Sequence, residues 1–146
     1  MDVTANLDAP CAPGVLFELV SDLGTYPRWL DIVPRAVSDG DDGPAWIVDL
    51  RGKLGPFARS KRLRMVRTRN DAPSTVVFER KERDGRSHSD WTLSADVSEA
   101  SGGSRLTMRL HYGGGLWAPI LERVLTDEIE RSKPRLLDLL SGASEG

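Results

Sequence analysis

Residues 110–125 read LHYGGGLWAPILERVL. Leu110 and Tyr112 close a run in which apolar side chains alternate. Leu121, Val124 and Leu125 open one in which they recur every three or four residues. The first period is that of a strand with one buried face, the second that of a helix with one buried stripe. Between them stand Gly113, Gly114 and Gly115. A phosphate-binding loop would need GxGxxG spacing, or Lys-Ser/Thr behind the glycines, within a parallel βαβ unit, and GGGLWAP has none of these. The mechanical reading is the better one. Glycine takes positive φ at little cost, so the chain can leave a last strand and turn sharply back across its own sheet.

Alternation continues upstream. Met1–Asp8, Arg35–Asp39, Ala45–Gly52, Phe57–Arg69, Ser74–Glu82, His88–Val97 and Arg105–Tyr112 read as strands, punctuated by DGDDGP, GKLGP, NDAP, DGR and SGGS. Pro13 opens VLFELVSDL, helical by the spacing of Leu16, Leu19, Val20 and Leu23; Gly24 stops it, and YPRWLDIV makes a second short helix. The longest helical pattern runs from about Trp117 to Leu140, with Pro119 in its first turn. Pro134 removes a backbone donor inside it and is expected to kink or split the helix. The order is strand, two short helices, about six antiparallel strands, one long helix: an α+β class in one domain, residues 1–141, with 142–146 as a frayed tail. A sheet with so few helices has a large face needing cover, and the long C-terminal helix is the element able to supply it.

Bulk properties narrow the classes. The chain has 146 residues, 39% hydrophobic and 29% charged, with net charge −2, so nothing draws it as a whole toward nucleic acid or an anionic membrane. No apolar run approaches the roughly 18 residues of a membrane span. The N-terminus carries an acid and no apolar stretch, unlike a signal peptide. Cys11 is the only cysteine, which excludes an internal disulfide and a multi-cysteine metal site. A catalytic thiol would want a histidine partner, and only His88 and His111 exist. The expectation is a cytoplasmic protein without cofactor or metal.

The opening APCAPGVLFELVSDLGTYPRWL (residues 9–30), the meander, and a glycine turn before a long helix with a central proline resemble the START/SRPBCC superfamily, polyketide cyclase/dehydrase-like branch, over nearly the whole chain. The resemblance implies a helix-grip fold, a curved antiparallel sheet wrapped around the C-terminal helix with a cavity between. It implies an apolar or amphipathic small-molecule ligand such as a lipid, quinone or polyketide, with the protein as carrier or sensor. It also places a gate at Asp22–Pro34, with Tyr26 and Trp29 near the mouth. Two other classes stay open: an aromatase/cyclase or dehydratase (a lyase) acting on a polyketide, and a partner-binding protein without ligand. The expected partner is a hydrophobic small molecule, with no nucleic acid and no stable membrane insertion, in a monomer or homodimer.

Alternation also suggests a register. Setting Asp96 opposite Arg105 keeps both apolar sets inside and pairs Thr92 with Arg109 and Asp90 with His111. The turns at Asp84-Gly85 and NDAP put Phe78 opposite Trp91, Arg80 opposite Ser89, and Met65 opposite Phe78; the GKLGP turn puts Trp46 opposite Met65. Trp29, Trp46, Met65, Phe78, Trp91 and Met108 are then candidate walls, though large apolar residues are usually plain core. Arg80, Ser89 and Tyr112 form a row able to orient a carbonyl or carboxylate, or simply a wet rim. In the long helix, Glu128 and Ser132 fall inside the stripe of Leu121, Val124, Leu125, Ile129, Leu136 and Leu139. An inward carboxylate is costly unless paired or solvated, so Glu128 either pairs with Arg67, Lys61 or Arg80, or meets a ligand, with Arg67 as its companion. The basic run ARSKRLRMVRTR (58–69) divides its charges between two faces and lacks a stacking aromatic pair, so it reads as a solvated or paired strand face. His88, Asp90 and His111 are legitimate zinc ligands, but on a convex face they lack a shaped site. No histidine is expected inside, which counts against histidine acid–base catalysis.

Overall fold

The computed structural model describes residues 2–40, 44–54, 57–113 and 118–145, with the side chains of 53–59, 118–121 and 142–145 outside that description. Seven strands form one antiparallel sheet: β1 (Asp2–Ala9), β2 (Arg35–Ser38), β3 (Ala45–Leu54), β4 (Phe57–Asp71), β5 (Thr75–Arg80), β6 (Trp91–Ala100) and β7 (Gly103–Tyr112). Their spatial order is β1-β7-β6-β5-β4-β3-β2. Helix α1 (Pro13–Val20) and a 3-10 helix (Leu23–Arg28) follow β1, and helix α2 (Ala118–Glu145) follows β7. Helix α2 packs against both β1, one edge of the sheet, and β3, next to the other edge. A flat sheet could not bring those strands to one helix, so the sheet curls around α2. This is the α+β helix-grip arrangement expected from the sequence.

The faces follow from the alternation; the registers differ. Trp46 lies opposite Met65 as expected. Elsewhere the pairing is displaced by two residues. Phe78 faces Leu93 and not Trp91, Met65 faces Arg80 and not Phe78, and Arg105 faces Ser98 and not Asp96. The cause is clearest between β6 and β7. The chain reverses through Ser101 and Gly102, between the paired Ala100 and Gly103, and Gly102 has φ +79°. Moving a turn centre by one residue moves the pairing by two and leaves every side chain on its own face. A further irregularity, between Arg67 and Arg69 in β4, is a bulge, which turns Arg69 out to solvent. Strand β5 stops at Arg80, so Ser89 belongs to a loop and not to a strand. Gly103 is required by close approach: a Cβ there would lie 2.1 Å from the carbonyl oxygen of Ala9.

The second short helix lies earlier than expected, over Leu23–Arg28. Pro134 sits within α2, which stays one helix and runs on past Leu140 to Glu145. The glycine turn is only partly visible. Gly113 donates its N–H to the carbonyl of Asp90 at 2.8 Å, and Gly114 and Gly115 lie outside the described residues.

The core runs along the inner face. Leu63, Val76, Phe78, Ala95 and Leu106 from the sheet are at most 2% exposed, as are Leu136 and Leu140 of α2 and Leu16 and Val20 of α1. Each large aliphatic or aromatic side chain so buried contributes about 1.5–3 kcal/mol. Ser132, inside the α2 stripe as the spacing predicts, is 4% exposed and donates its hydroxyl to Ile129's carbonyl at 2.6 Å. Its polarity is thus met within its own helix.

Candidate functional site

Between the sheet and α2 lies a cavity of about 120 Å³. The sheet supplies its floor, including Val48, Leu63, Met65, Trp91 and Met108; α2 supplies Leu125 and Ile129. The segment after α1 covers it with Leu23, Tyr26, Trp29, Leu30, Ile32 and Val33. None of the described residues lining it is charged. Tyr26 is polar only at its hydroxyl, which donates to Val20's carbonyl at 2.8 Å; burial, aided by Asp22, pushes that phenol far above its ordinary pKa, so it stays neutral. Trp29 packs on Tyr26 with ring centroids 4.7 Å apart.

Of the wall candidates, Trp29, Met65, Trp91 and Met108 line this space. Trp46 and Phe78 do not. They meet edge-on at 5.6 Å, and the Arg67 guanidinium lies 5.7 Å from the Trp46 ring. Sequence reasoning passed over Ile32, Val33, Val48 and Leu125 as site residues. Val48 carried a signal, sharing the alternation of Trp46; Ile32 and Val33 lie in irregular chain where no period applies.

The polar candidates are occupied elsewhere. Arg67 donates through Nη1 to Ser21's carbonyl at 2.8 Å, while Thr25 bonds Leu19's carbonyl at 2.7 Å and Tyr26 bonds that of Val20. These three side chains satisfy the carbonyls at the C-terminal end of α1, where a cation is favoured. Arg67 is therefore not the companion of Glu128. Glu128 instead pairs with Arg131 on its own helix, a neighbour at i+3 that satisfies the carboxylate without crossing the interior.

Arg80 likewise belongs to a loop network. Its Nε donates to Glu82 at 3.2 Å, its Nη1 to the Ser89 carbonyl and hydroxyl at 3.3 Å, and its Nη2 lies 3.3 Å from Nδ1 of His88. Nε2 of His88 faces Asp84 at 2.8 Å, an arrangement that fits the Nε2–H tautomer. Backbone N–H donation from Arg86, then His88, holds the Asp84 carboxyl below its ordinary value. Ser89 is exposed. Tyr112 is fully buried and stacks on Trp91 at 5.3 Å; burial, then the charge of Glu122, raises its pKa. The Arg80–Ser89–Tyr112 row thus closes a loop and packs a core, and none of its members lines the cavity.

None of the remaining candidates lines the cavity. Arg62 pairs with Asp49 at 2.7 Å. Arg64, largely buried, pairs with Asp39 at 2.7 Å, and its backbone N–H donates to Glu82. Burial, then Arg80, lowers the pKa of Lys61. His111 meets Asp2 at 2.8 Å and lies opposite Thr92, so His88, Asp90 and His111 do not converge. No metal-holding cluster of acids, histidines or cysteine occurs among the described residues. Cys11 is buried beside Ser104, 3.8 Å from its hydroxyl. No helix among the described residues is long and apolar enough to cross a membrane.

A curled sheet gripping one long helix over an apolar hollow defines a START-like domain. Residues 1–138 match the family described as "Polyketide cyclase / dehydrase and lipid transport". The chain belongs to that family. No curated protein matches its sequence. Among solved structures, a conserved protein from Geobacillus kaustophilus superposes with a TM-score of 0.76 at 11% identity, covering 98% of this chain and 97% of its own. A START superfamily protein from Mycobacterium smegmatis gives 0.72 at 12% identity, covering 97% and 98%. A protein from Thermus thermophilus gives 0.72 at 16%, covering 99% of each chain. At these identities the likeness is one of fold.

Proposed function

We propose that the chain is a carrier or sensor that binds a small apolar molecule, or the apolar part of an amphipathic one, between the sheet and α2. One observation carries this reading: a partly enclosed apolar hollow of about 120 Å³ with no charged group among the described residues that line it. An apolar cavity of about 150 Å³ elsewhere stays dry and takes up benzene, so the resting hollow suits roughly one ring. A longer ligand such as a lipid, quinone or polyketide needs the walls to part. The Asp22–Pro34 segment is the element to move, because the exposed pair Asp31–Arg135 ties it to α2, and such pairs contribute only about 0–1 kcal/mol. The family's description, which includes lipid transport, points the same way, and residues 1–141 would act as one binding domain.

The cyclase or dehydratase reading is weaker. Enolisation and loss of water need an acid and a base within reach of the reacting carbon. Tyr112, Arg80 and Glu128, the groups available for that work, are engaged outside the cavity. Native mass spectrometry of the purified protein tests the proposal. A co-purified neutral molecule is expected, released on denaturation. The absence of any adduct, together with no thermal shift from toluene or cumene up to their solubility limits, would overturn it.

A further inference from the structure

The hollow approaches solvent at one end, and a residue without a side chain stands there. Along the inner face β3 presents Trp46, Val48, Leu50 and Gly52, and β4 sets Met65, Leu63 and Lys61 opposite the first three. The first two of these pairs are buried. Leu50 is half-buried and Lys61 exposed, although Leu50 still lines the hollow. Water therefore reaches the inner face within one cross-strand step of the apolar lining. Just beyond Leu50, three elements converge on Gly52. A Cβ there would stand 3.4 Å from Cγ1 of Val124 in α2 and 3.8 Å from Cδ1 of Ile32 in the covering segment. Ile32 lines the hollow, as does Leu125 beside Val124. The N–H of Arg51 donates to Ile32's carbonyl at 2.8 Å, which hooks the covering segment to β3 at this point.

A glycine inside a strand weakens it, and ordinarily marks a bulge, a tight corner, or a place where another backbone or a ligand approaches closely. The pairing of β3 with β4 runs unbroken from Ala45 to Leu54, without a bulge. Gly52 is not at positive φ, so its backbone is open to residues with a Cβ. Among the described residues, the atoms nearest to such a Cβ are the tips of two side chains, at ordinary contact distance, and none belongs to a backbone. The approach of a ligand is the use that remains. We infer that Gly52 is the threshold of the hollow: a ligand enters over it, between Ile32 and Val124, and one longer than the hollow lies across it toward solvent. This rests on the binding proposed above and adds the residue that decides which lengths are admitted. A side chain at position 52 would narrow the passage from the sheet, and trimming Val124 would widen it from the helix.

Two neutral probes of different length test it in the full chain: fluorobenzene, a single ring, and octanol, a longer chain. The proteins are the wild type, Gly52→Val and Val124→Ala. Fluorobenzene exchange, followed by fluorine NMR, should slow about 5-fold or more in Gly52→Val and quicken in Val124→Ala, while its equilibrium affinity changes less than about 3-fold in each, as for a gate and not a wall. Octanol affinity, measured by calorimetry, should fall about 10-fold in Gly52→Val, the loss expected when one or two methylene groups are kept from burial. Val124→Ala supplies the answer by itself should Gly52→Val fold poorly. Exchange rates that match the wild type in every folded variant, or parallel losses of affinity for both probes in Gly52→Val, would overturn the inference while leaving an apolar binding site intact. Failure of both probes to bind the wild type would remove the binding proposal itself, and this inference with it.

Discussion

Filling the hollow should stabilise the protein and abolish uptake of small aromatics. Ala5 is suited to the substitution, since it lines the cavity from the edge strand β1, opposite Met108. An empty space of about 120 Å³, at ~24 cal/mol per Å³, represents about 3 kcal/mol of forgone packing. Ala5→Leu adds three carbons, about 2.4 kcal/mol if all are buried in that space at ~0.8 kcal/mol each. Fixing the leucine rotamer costs about 0.5–1 kcal/mol, which leaves a net gain of roughly 1–2 kcal/mol. For a chain of this size that corresponds to a rise of roughly 3–6 °C in Tm, read by calorimetry and confirmed by the urea midpoint. Toluene or cumene should raise the wild-type Tm and leave that of the variant unmoved. A solid seam gives the opposite sign, because overpacking costs about 1–3 kcal/mol. A Tm lowered by several degrees, with the wild type indifferent to the hydrocarbons, would refute the existence of a usable hollow.

Arg67→Met should cost about 1–3 kcal/mol in urea denaturation, since it removes a hydrogen bond from a charged donor to Ser21's part-buried carbonyl; a change within 0.5 kcal/mol would show that Arg67 does not hold α1. Glu128→Gln should leave stability within about 0.5 kcal/mol and the affinity for acetophenone within about 2-fold, because its partner is the exposed Arg131 on the same helix; a large loss of affinity would place the carboxylate in the site after all. Stability should fall on acidification. Asp2, Asp8 and Asp49 are held below their ordinary values chiefly by hydrogen bonds from His111, Arg105 and Arg62 respectively, and Asp84 by the backbone of Arg86. The unfolded chain therefore takes up protons first, and their contribution, complete above the unfolded carboxylate value of about 4, is lost as pH drops through the lower folded values. Urea midpoints at pH 6 and pH 3 measure this, and a higher midpoint at pH 3 would contradict it.

The legibility of the fold divides along a physical line. Period is a property of many residues at once, so Trp91, Leu93, Ala95 and Val97 announce their shared face whatever their partners are. A turn centre depends on one or two residues, and EASGGS offers more than one place for the chain to reverse; only the backbone of Gly102, at positive φ, selects it. The site divides in the same way. Met65, Trp91 and Met108 are legible as inward positions of strands and do line the cavity. Arg67 and Glu128 are legible as inward or near-inward too, but a flexible charged side chain goes where a counter-group is, and Ser21's carbonyl and Arg131 cannot be read from periodicity. Nor can an unmet donor: that the Nε1 atoms of Trp29 and Trp91 have no acceptor among the described residues follows only from the positions of their neighbours.

Within the sheet, strand β1 pairs with β7, with Asp2 opposite His111 and Ala9 opposite Ser104. During synthesis the hairpins β3–β4 and β6–β7 close among near neighbours, but β1 must wait until residues past 111 have left the ribosome. At ~5–20 residues per second the delay is on the order of ten seconds, during which the inward apolar positions of β1 stay bare. This pairing joins Asp2–Ala9 to Gly103–Tyr112 across most of the sheet's sequence, so the nascent chain has a long period in which a chaperone, or an unwanted neighbour, can occupy β1.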